Sequence, residues 1–567
     1  MLVNRTPTTL LLALFALASP WMHAQAVDAQ GHPWWRHAVF YELYPRSFAD
    51  SDNNGTGDLP GIASKLDYLK RLGIDAIWIT PFYPSPQVDF GYDVSDFENI
   101  DPMYGTMADF DHLQTRANQQ GIRIILDLVI NHTSNQHAWF LDSSSSPNST
   151  HRDWYIWRKG RGPGNPPNNW RSDFGGPAWT LDPASGQYYY HNFAPEQPDL
   201  NWRNPAVEAA MFDVTRFWYK RGVSGFRLDA VDYLFEDPDL HDNPILPGKN
   251  ERGEPNMEDK YNSKLPEIHD LLRRLRGVAD QSSAVLVGET YTDDATELKK
   301  YYGAHDDEIQ LPMNFVFCTI DKLSAPEFRK QIAAAESTGE WPVYVIGNHD
   351  MPRSYVRYGD GHHNDQIAKL MAALYLTLRG TAVMYYGEEL GMENNDPKRL
   401  EDVKDPAGKT GGWPENKGRD GERTPMQWND SLNAGFTRGT PWLPVPPSYK
   451  THNVATESAD PNSILQFYRH LLALRHEDQA LLEGDYVDLS PKNEAVLSYL
   501  RRSGDEAVLV LLNMSGSPQT LSLDVTAQGF SAAHMTTLLS TPNPPPRAGP
   551  RPFTLQPFAV YIARLSR

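Results

Sequence analysis

Two kinds of segment alternate along the chain. Short apolar runs rich in β-branched and aromatic residues occupy positions 38–45, 76–82, 123–131, 225–231, 284–290, 308–315, 343–350 and 382–389. These read as strands. Between them lie stretches whose apolar residues recur with helical period, among them 62–73, 206–222 and 364–380, each closing on glycine after a basic last turn. Eight strand–helix units predict an α/β fold closed into a (β/α)8 TIM barrel. Two regions break the rhythm. Residues 132–202, rich in Ser, Pro, Gly, Asn and Trp, read as an insertion after strand three, and 392–462 as a long functional loop region. After a last helix at 463–476 the pattern turns to short alternating strands such as 507–514, which predict a C-terminal antiparallel β-sandwich containing the stiff connection 542–552. The expected division is 27–131 and 203–476 for the barrel, 132–202 for the insertion and 477–567 for the sandwich.

The first 26 residues have the make-up of an export signal: Arg5, the apolar run 10–18 and Ala24-Gln25-Ala26 as cleavage site. Nine apolar residues are too few to span a bilayer, and no later run reaches the ~20 that a membrane helix needs. The expectation is therefore a secreted or periplasmic protein. Cys318 is the sole cysteine, which excludes an internal disulfide and reads as a small buried hydrophobe. A net charge of −20, from 52 Lys and Arg against 72 Asp and Glu, excludes nucleic acid and anionic membrane as natural partners. A small neutral ligand fits better, and 27 Tyr and 15 Trp offer flat rings that suit sugar faces as well as packing. Oligomeric state leaves no trace in the sequence.

In a barrel of this kind the C-terminal strand ends carry the chemistry. There the chain places Asp127, Asn131 and His132 on strand three, Arg227 and Asp229 on strand four, Glu289 on strand five, and His349 and Asp350 on strand seven. A single strand-end Asp reads first as a helix cap. Three acids with Arg and His partners on one rim read as a site. Paired carboxylates are the requirement for cleaving a glycosidic bond: one ionised to attack the anomeric carbon, one protonated to release the leaving oxygen. Arg227, two residues before Asp229, shares its face of the strand and is expected to keep it ionised, while the apolar run before Glu289 raises that carboxyl. Asp229 then reads as nucleophile and Glu289 as acid/base. A separate stretch, DSDNNGTGD, sets oxygens at Asp50, Asp52, Asn54, Thr56 and Asp58. It admits two readings, a hard-cation loop or an Asx/Gly turn; Gly61 at its twelfth position rules out an EF-hand.

The segments DLVINH, GFRLDAV, VGET and VIGNHD, in that order, resemble the four conserved segments of the α-amylase superfamily (glycoside hydrolase family 13), and QPDLN (197–201) resembles the fifth in its α-glucosidase and oligo-1,6-glucosidase form. The resemblance spans the whole barrel, and WWRHAVFYELYPRSF, DFGYDVSDF and GRDGERTPMQW are α-glucosidase-like as well. It implies Asp229 as nucleophile, Glu289 as proton donor and Asp350 as the third carboxylate. His132 and His349 would bond the sugar at the cleaved position, Asp89 and Arg423 would close the cavity beyond its non-reducing end, and Tyr92 would be the stacking platform. Phe174 is open between packing and sugar stacking. The resemblance also implies structural Ca²⁺ in the 50–58 loop and no organic cofactor. The implied activity is exo-acting, retaining release of glucose from a small α-glucoside. In related enzymes Val after the nucleophile goes with α-1,6 linkages and smaller residues with α-1,4, so Ala230 points to maltose and short maltooligosaccharides. The alternatives are a glucosyltransferase or trehalose synthase, an oligo-1,6-glucosidase, and the transporter-associated scaffolds of the same fold, which would have a membrane helix and lack these acids.

Overall fold

A computed structural model describes residues 27–567 apart from 29–30, 251, 293, 411, 523, 532–533 and 542–552, so the leader and the proline-rich connection lie outside the described residues. Eight parallel strands close into a barrel: β1 (Val39–Leu43), β2 (Ala76–Ile79), β3 (Arg123–Leu128), β4 (Gly225–Leu228), β5 (Val285–Thr290), β6 (Leu311–Asn314), β7 (Val343–Val345) and β8 (Thr381–Tyr385). Each pairs with its neighbours in sequence, and β8 closes on β1. Several strands are shorter than the apolar runs suggest. β6 starts at Leu311 because the buried Glu308 is turned to the side chains of His269 and Arg273.

Period-two alternation decides what fills the barrel. Val39, Tyr41 and Leu43 on β1, and Ile124, Leu126 and Leu128 on β3, pack outward against the helices in the main core. The intervening Phe40, Trp78, Ile125, Val287, Met313 and Val345 form the interior core. One step further toward the C-terminal ends, the inward positions become Glu42, Asp127, Arg227 and Glu289, all buried. Register places Glu42 beside Trp78, and Asp127 and Val287 on either side of Arg227. The polar site thus stands directly on an apolar plug. Cys318 belongs to that plug: it is 2% exposed, its thiol donates to the Val345 carbonyl, and burial pushes its pKa up to about 12.

The helices follow the predicted periods, except that the 62–73 stretch is broken at Lys65 into Leu59–Ser64 and Leu66–Leu72 and that one helix ends early. Leu66–Leu72 and Pro205–Lys220 are followed by Gly73 and Gly222 in left-handed backbone, as their sequences foretell. The helix Asn364–Thr377 stops three residues before Gly380. Its last carbonyls are met by buried arginines instead: Arg475 donates to Leu376, Leu378 and Gly380, and Arg501 to Thr377. Arg475 lies on the helix Ile464–Glu477 and Arg501 on the C-terminal strand Val496–Ser503, so this helix end is where barrel and C-terminal domain lock together.

That domain is a five-stranded antiparallel sheet covered on one face by the ribbon Gln519–Leu521/Phe553–Leu555 and on the other by barrel helices. The insertion between β3 and β4 carries the helix Ala138–Ser145 and a small sheet of Trp157–Arg158, Gln187–Tyr190 and Trp179–Asp182, packed round Trp170, Trp179 and Tyr190. No helix among the described residues is long and apolar enough to cross a membrane.

Arg475→Met would strip three carbonyls of their donors while keeping most of the apolar volume. Unsatisfied buried acceptors cost about 1–3 kcal/mol each, partly recovered by relaxation, so we expect a loss of about 3 kcal/mol. Urea unfolding followed by intrinsic fluorescence measures it; an unchanged midpoint would contradict this role.

Candidate active site

The guanidinium of Arg227 is buried at the floor of the site, between three acids. Its Nη1 lies 3.0 Å from Asp127 Oδ1 and 2.5 Å from Asp229 Oδ1, and its Nη2 lies 2.5 Å from Glu289 Oε1. Strand alternation alone puts all four side chains on one inner face. Ala230 follows Asp229 in left-handed backbone, φ +50°, and its N–H donates to Glu289 Oε2 at 2.8 Å. The turn after β4 therefore fixes both acids at once. The expectation that Arg227 keeps Asp229 ionised is met only in part, because one cation is shared by the pair and burial works against it. Burial pushes Glu289 up to about 8 and Asp229 up to about 7, with Arg227 acting against burial on both. Glu289 is the acid that keeps its proton longer.

Asp350 behaves differently. Burial opposes its ionisation, but His349, Arg419 and Arg423 beside it outweigh that and hold the carboxyl well below the usual range. Its Oδ1 accepts from Arg419 Nη1 and Arg423 Nη2, both at 2.8 Å. His349 is clamped between Glu42 Oε1, 2.6 Å from Nδ1, and the Tyr92 hydroxyl, 2.7 Å from Nε2. Tyr92 donates to Asp127 at 3.0 Å, and its ring stacks on His349 with centroids 5.3 Å apart. His132 Nε2 faces the Tyr92 carbonyl at 3.2 Å and Gln197 Nε2 at 3.0 Å, and burial drives its pKa down to about 3, so this ring is neutral.

These groups surround a cavity of about 310 Å³ whose lining includes Asp89, Tyr92, His132, Asp229, Glu289 and Asp350. Its end wall corrects the expected pairing. Asp89 Oδ1 accepts from Arg419 Nη2 at 2.7 Å, not from Arg423. Arg419 also reaches Asp350, and Asp405 at 2.7 Å, and its guanidinium lies over the Phe174 ring at 5.4 Å. Arg423, fully buried, donates to Asp350 and to the His349 carbonyl from behind the wall. GRDGERTPMQW contains both arginines, but in an irregular loop no period tells which one faces the cavity. Glu42 and Asp405 were likewise missed. Glu42 has a readable signal, a charge at an inward strand position; Asp405 has none. Phe174 packs on Phe193 and lines the cavity, with Arg419 over its ring.

The loop at 50–58 brings together Asp50, Asp52 and Asp58, with one oxygen from each within 4.8 Å of the others. The Asx turns are there too: Asp50 accepts from the Asn53 and Gly55 N–H groups, and Asn54 Oδ1 from that of Thr56. Asp58 also caps the helix Leu59–Ser64 through the Gly61 N–H. The three carboxylates suit a Ca²⁺-like ion, and they, like Asn54 Oδ1, also accept from nearby backbone N–H groups.

The model of the α-amylase catalytic domain matches residues 42–484, and that of the maltogenic amylase C-terminal domain residues 487–562. The chain is 42% identical over 504 residues to a probable α-glucosidase of Rhizobium meliloti, covering 86% of this chain and 91% of that protein. It is 40% identical over 512 residues to a trehalose-6-phosphate hydrolase of Escherichia coli, covering 85% and 91%. The crystal structure of the α-glucosyl transfer enzyme XgtA superposes with a TM-score of 0.87 at 40% identity, over 94% of this chain and all of that one. With a closed eight-stranded barrel, clustered strand-end acids and these matches, the chain belongs to the α-amylase family, glycoside hydrolase family 13, and is a glycoside hydrolase.

Proposed function

We propose that the enzyme is an exo-acting, retaining α-glucosidase that releases terminal glucose from α-1,4-linked substrates such as maltose. The observation that carries this reading is the placing of Asp229 and Glu289 on two nitrogens of one guanidinium at the floor of a cavity walled off by Asp89 and Arg419. Bridging adjacent nitrogens suits the closer carboxylate spacing of retaining pairs, about 5–5.5 Å, in which no water fits between acid and sugar. Asp229 attacks the anomeric carbon as Glu289 passes its proton to the glycosidic oxygen, and the leaving sugar departs. The Glu289 carboxylate then takes a proton from water, whose oxygen displaces Asp229 and frees glucose with its configuration retained. Asp350 and His349 grip the sugar hydroxyls.

Charge narrows the substrate. Six carboxylates face the cavity, from Asp89, Asp173, Asp229, Asp232, Glu289 and Asp350. Among the described lining residues the one Lys or Arg is Arg419, and three acids already engage it. A phosphorylated sugar would find no free cation there, which favours a neutral glucoside over the substrate named for the Escherichia coli relative. Ala230 supports α-1,4 preference, although a methyl-scale difference is worth only about 1–3 kcal/mol. Transglucosylation is a second reading: Phe193, Tyr233 and Tyr291 line the same cavity and offer ring faces to an acceptor sugar. The leader supports export, and the Asp50, Asp52 and Asp58 carboxylates support a structural Ca²⁺ ion. That loop bonds to the Arg419-bearing region through Arg438 N–H to Asn53 and Trp442 N–H to Gly55.

Asp229→Asn should remove maltose hydrolysis while circular dichroism stays native; turnover beyond wild-type contamination would refute the nucleophile. For wild type, kcat/KM on maltose should rise as pH passes about 7 and fall above about 8, because the active form has Asp229 ionised and Glu289 protonated. With Glu289→Gln, activated aryl α-glucosides should still release aglycone, now without the basic limb, whereas maltose should not react. A basic limb that persists in this variant belongs to another group. Chelation should lower the melting temperature and Ca²⁺ restore it, with Asp52→Ala insensitive to both; a chelator-resistant wild type would mean that the loop is held by its turns alone.

A further inference from the structure

We propose that Glu42 is a positioning residue of the glycosidase site: its carboxyl fixes His349 in the tautomer that turns Nε2–H toward the cavity. The inference rests on the functional reading above, in which His349 grips a sugar hydroxyl. Glu42 itself is not among the described residues that line the cavity, so it acts through the imidazole.

The neighbours of the ring leave one assignment of protons. Tyr92 has a single hydroxyl proton and two polar neighbours, Asp127 Oδ2 at 3.0 Å and His349 Nε2 at 2.7 Å. Asp127 takes Arg227 on its other oxygen at 3.0 Å and can only accept. The phenol proton therefore goes to Asp127, and the phenol oxygen accepts from Nε2–H. Asp350 gives the same answer independently. Its Oδ1 is held by Arg419 and Arg423, and its Oδ2 lies 3.2 Å from Nε2, where a carboxylate needs a donor. A lone pair on Nε2 would face both oxygens at once.

A neutral ring with its proton on Nε2 carries a lone pair on Nδ1. Opposite that lone pair, at 2.6 Å, stands Glu42 Oε1, which also accepts from the His349 backbone N–H at 3.2 Å. An oxygen that accepts from one group and donates to the other is a hydroxyl oxygen, so Glu42 is the neutral acid. Burial drives both partners that way. Glu42 is fully enclosed and pushed well above the usual carboxylate range, with Arg227 opposing burial and Asp350 and Asp127 adding to it. His349 is pushed well below its usual range by burial, then by Arg423, Arg227 and Arg419, against Asp350. Glu42 Oε2 makes no hydrogen bond, which a carbonyl oxygen bears at far lower cost than a carboxylate oxygen. Donors thus point one way along the row, from Glu42 through His349 and Tyr92 to Asp127.

Glutamine would keep this shape but reverse the chemistry. An amide oxygen in the place of Oε1 accepts from the backbone N–H and cannot donate, so it calls the ring proton to Nδ1. Nε2 would then offer the sugar a lone pair beside the Asp350 carboxylate.

Glu42→Gln should therefore melt as the wild type does yet lose about 10–100-fold in maltose kcat/KM, the worth of one hydrogen bond to a charged group. His349→Gln carries an amide that donates from the Nε2 place whatever stands at position 42. It should lose activity, and adding Glu42→Gln should cost no more than about twofold further. With ¹⁵N-labelled histidine, the NMR signals that vanish in His349→Gln should show the proton on Nε2 in the wild type and on Nδ1 in Glu42→Gln. The wild-type spectrum decides alone if Glu42→Gln does not fold. An Nδ1 proton in the wild type, wild-type kcat/KM in a folded Glu42→Gln, or full additivity of the two substitutions overturns the inference. A wild type with the Nε2 proton that leaves maltose untouched would support this assignment and count against the functional reading.

Discussion

One buried guanidinium organises this enzyme. Arg227 has no contact with water, and a charge so placed persists only if it is compensated on the spot. Asp127, Asp229 and Glu289 supply that compensation, and each is drawn to a position that its strand alternation already allowed. The same contacts that make the cation tolerable gather the acids that do the chemistry. Three carboxylates against one cation leave negative charge in surplus. Burial resolves it by keeping a proton on Glu289 at a pH where Asp229 begins to lose its own. That order suits Glu289 as the acid and Asp229 as the nucleophile.

A second cation does comparable work at the end wall. Arg419 bridges Asp89, Asp350 and Asp405, and so joins the loop after β2, the end of β7 and the long irregular region into one rigid surface. Arg423 reinforces it from behind through Asp350 and the His349 carbonyl. The two arginines keep Asp350 ionised against the burial that would protonate it. Dead-end geometry, and with it the exo mode of action proposed above, rests on this cluster of charges rather than on apolar packing.

Much of this was legible in the chain, for a definable reason. Strand parity is a strict rule, so Arg227 and Asp229 could be assigned to one face from spacing alone; Glu289 was legible from its place at a strand end, and the helix periods located the barrel. Legibility failed where periodicity ends. The loop holding Arg419 and Arg423 offers two arginines four residues apart, and only the fold shows that the first meets Asp89. The glycine rule misplaced the end of Asn364–Thr377, because Arg475 and Arg501 cap it from elements about a hundred residues away in sequence. Long-range polar contacts leave no local signature.

The most direct measurement is to trap the covalent intermediate with a 5-fluoro-α-glucosyl fluoride and locate the label by peptide mass spectrometry. If the acids around Arg227 divide their roles as described, a single glucosyl ester will be found, on Asp229. A label on Glu289 or Asp350, or an enzyme that turns over the reagent without ever becoming labelled, would contradict the account.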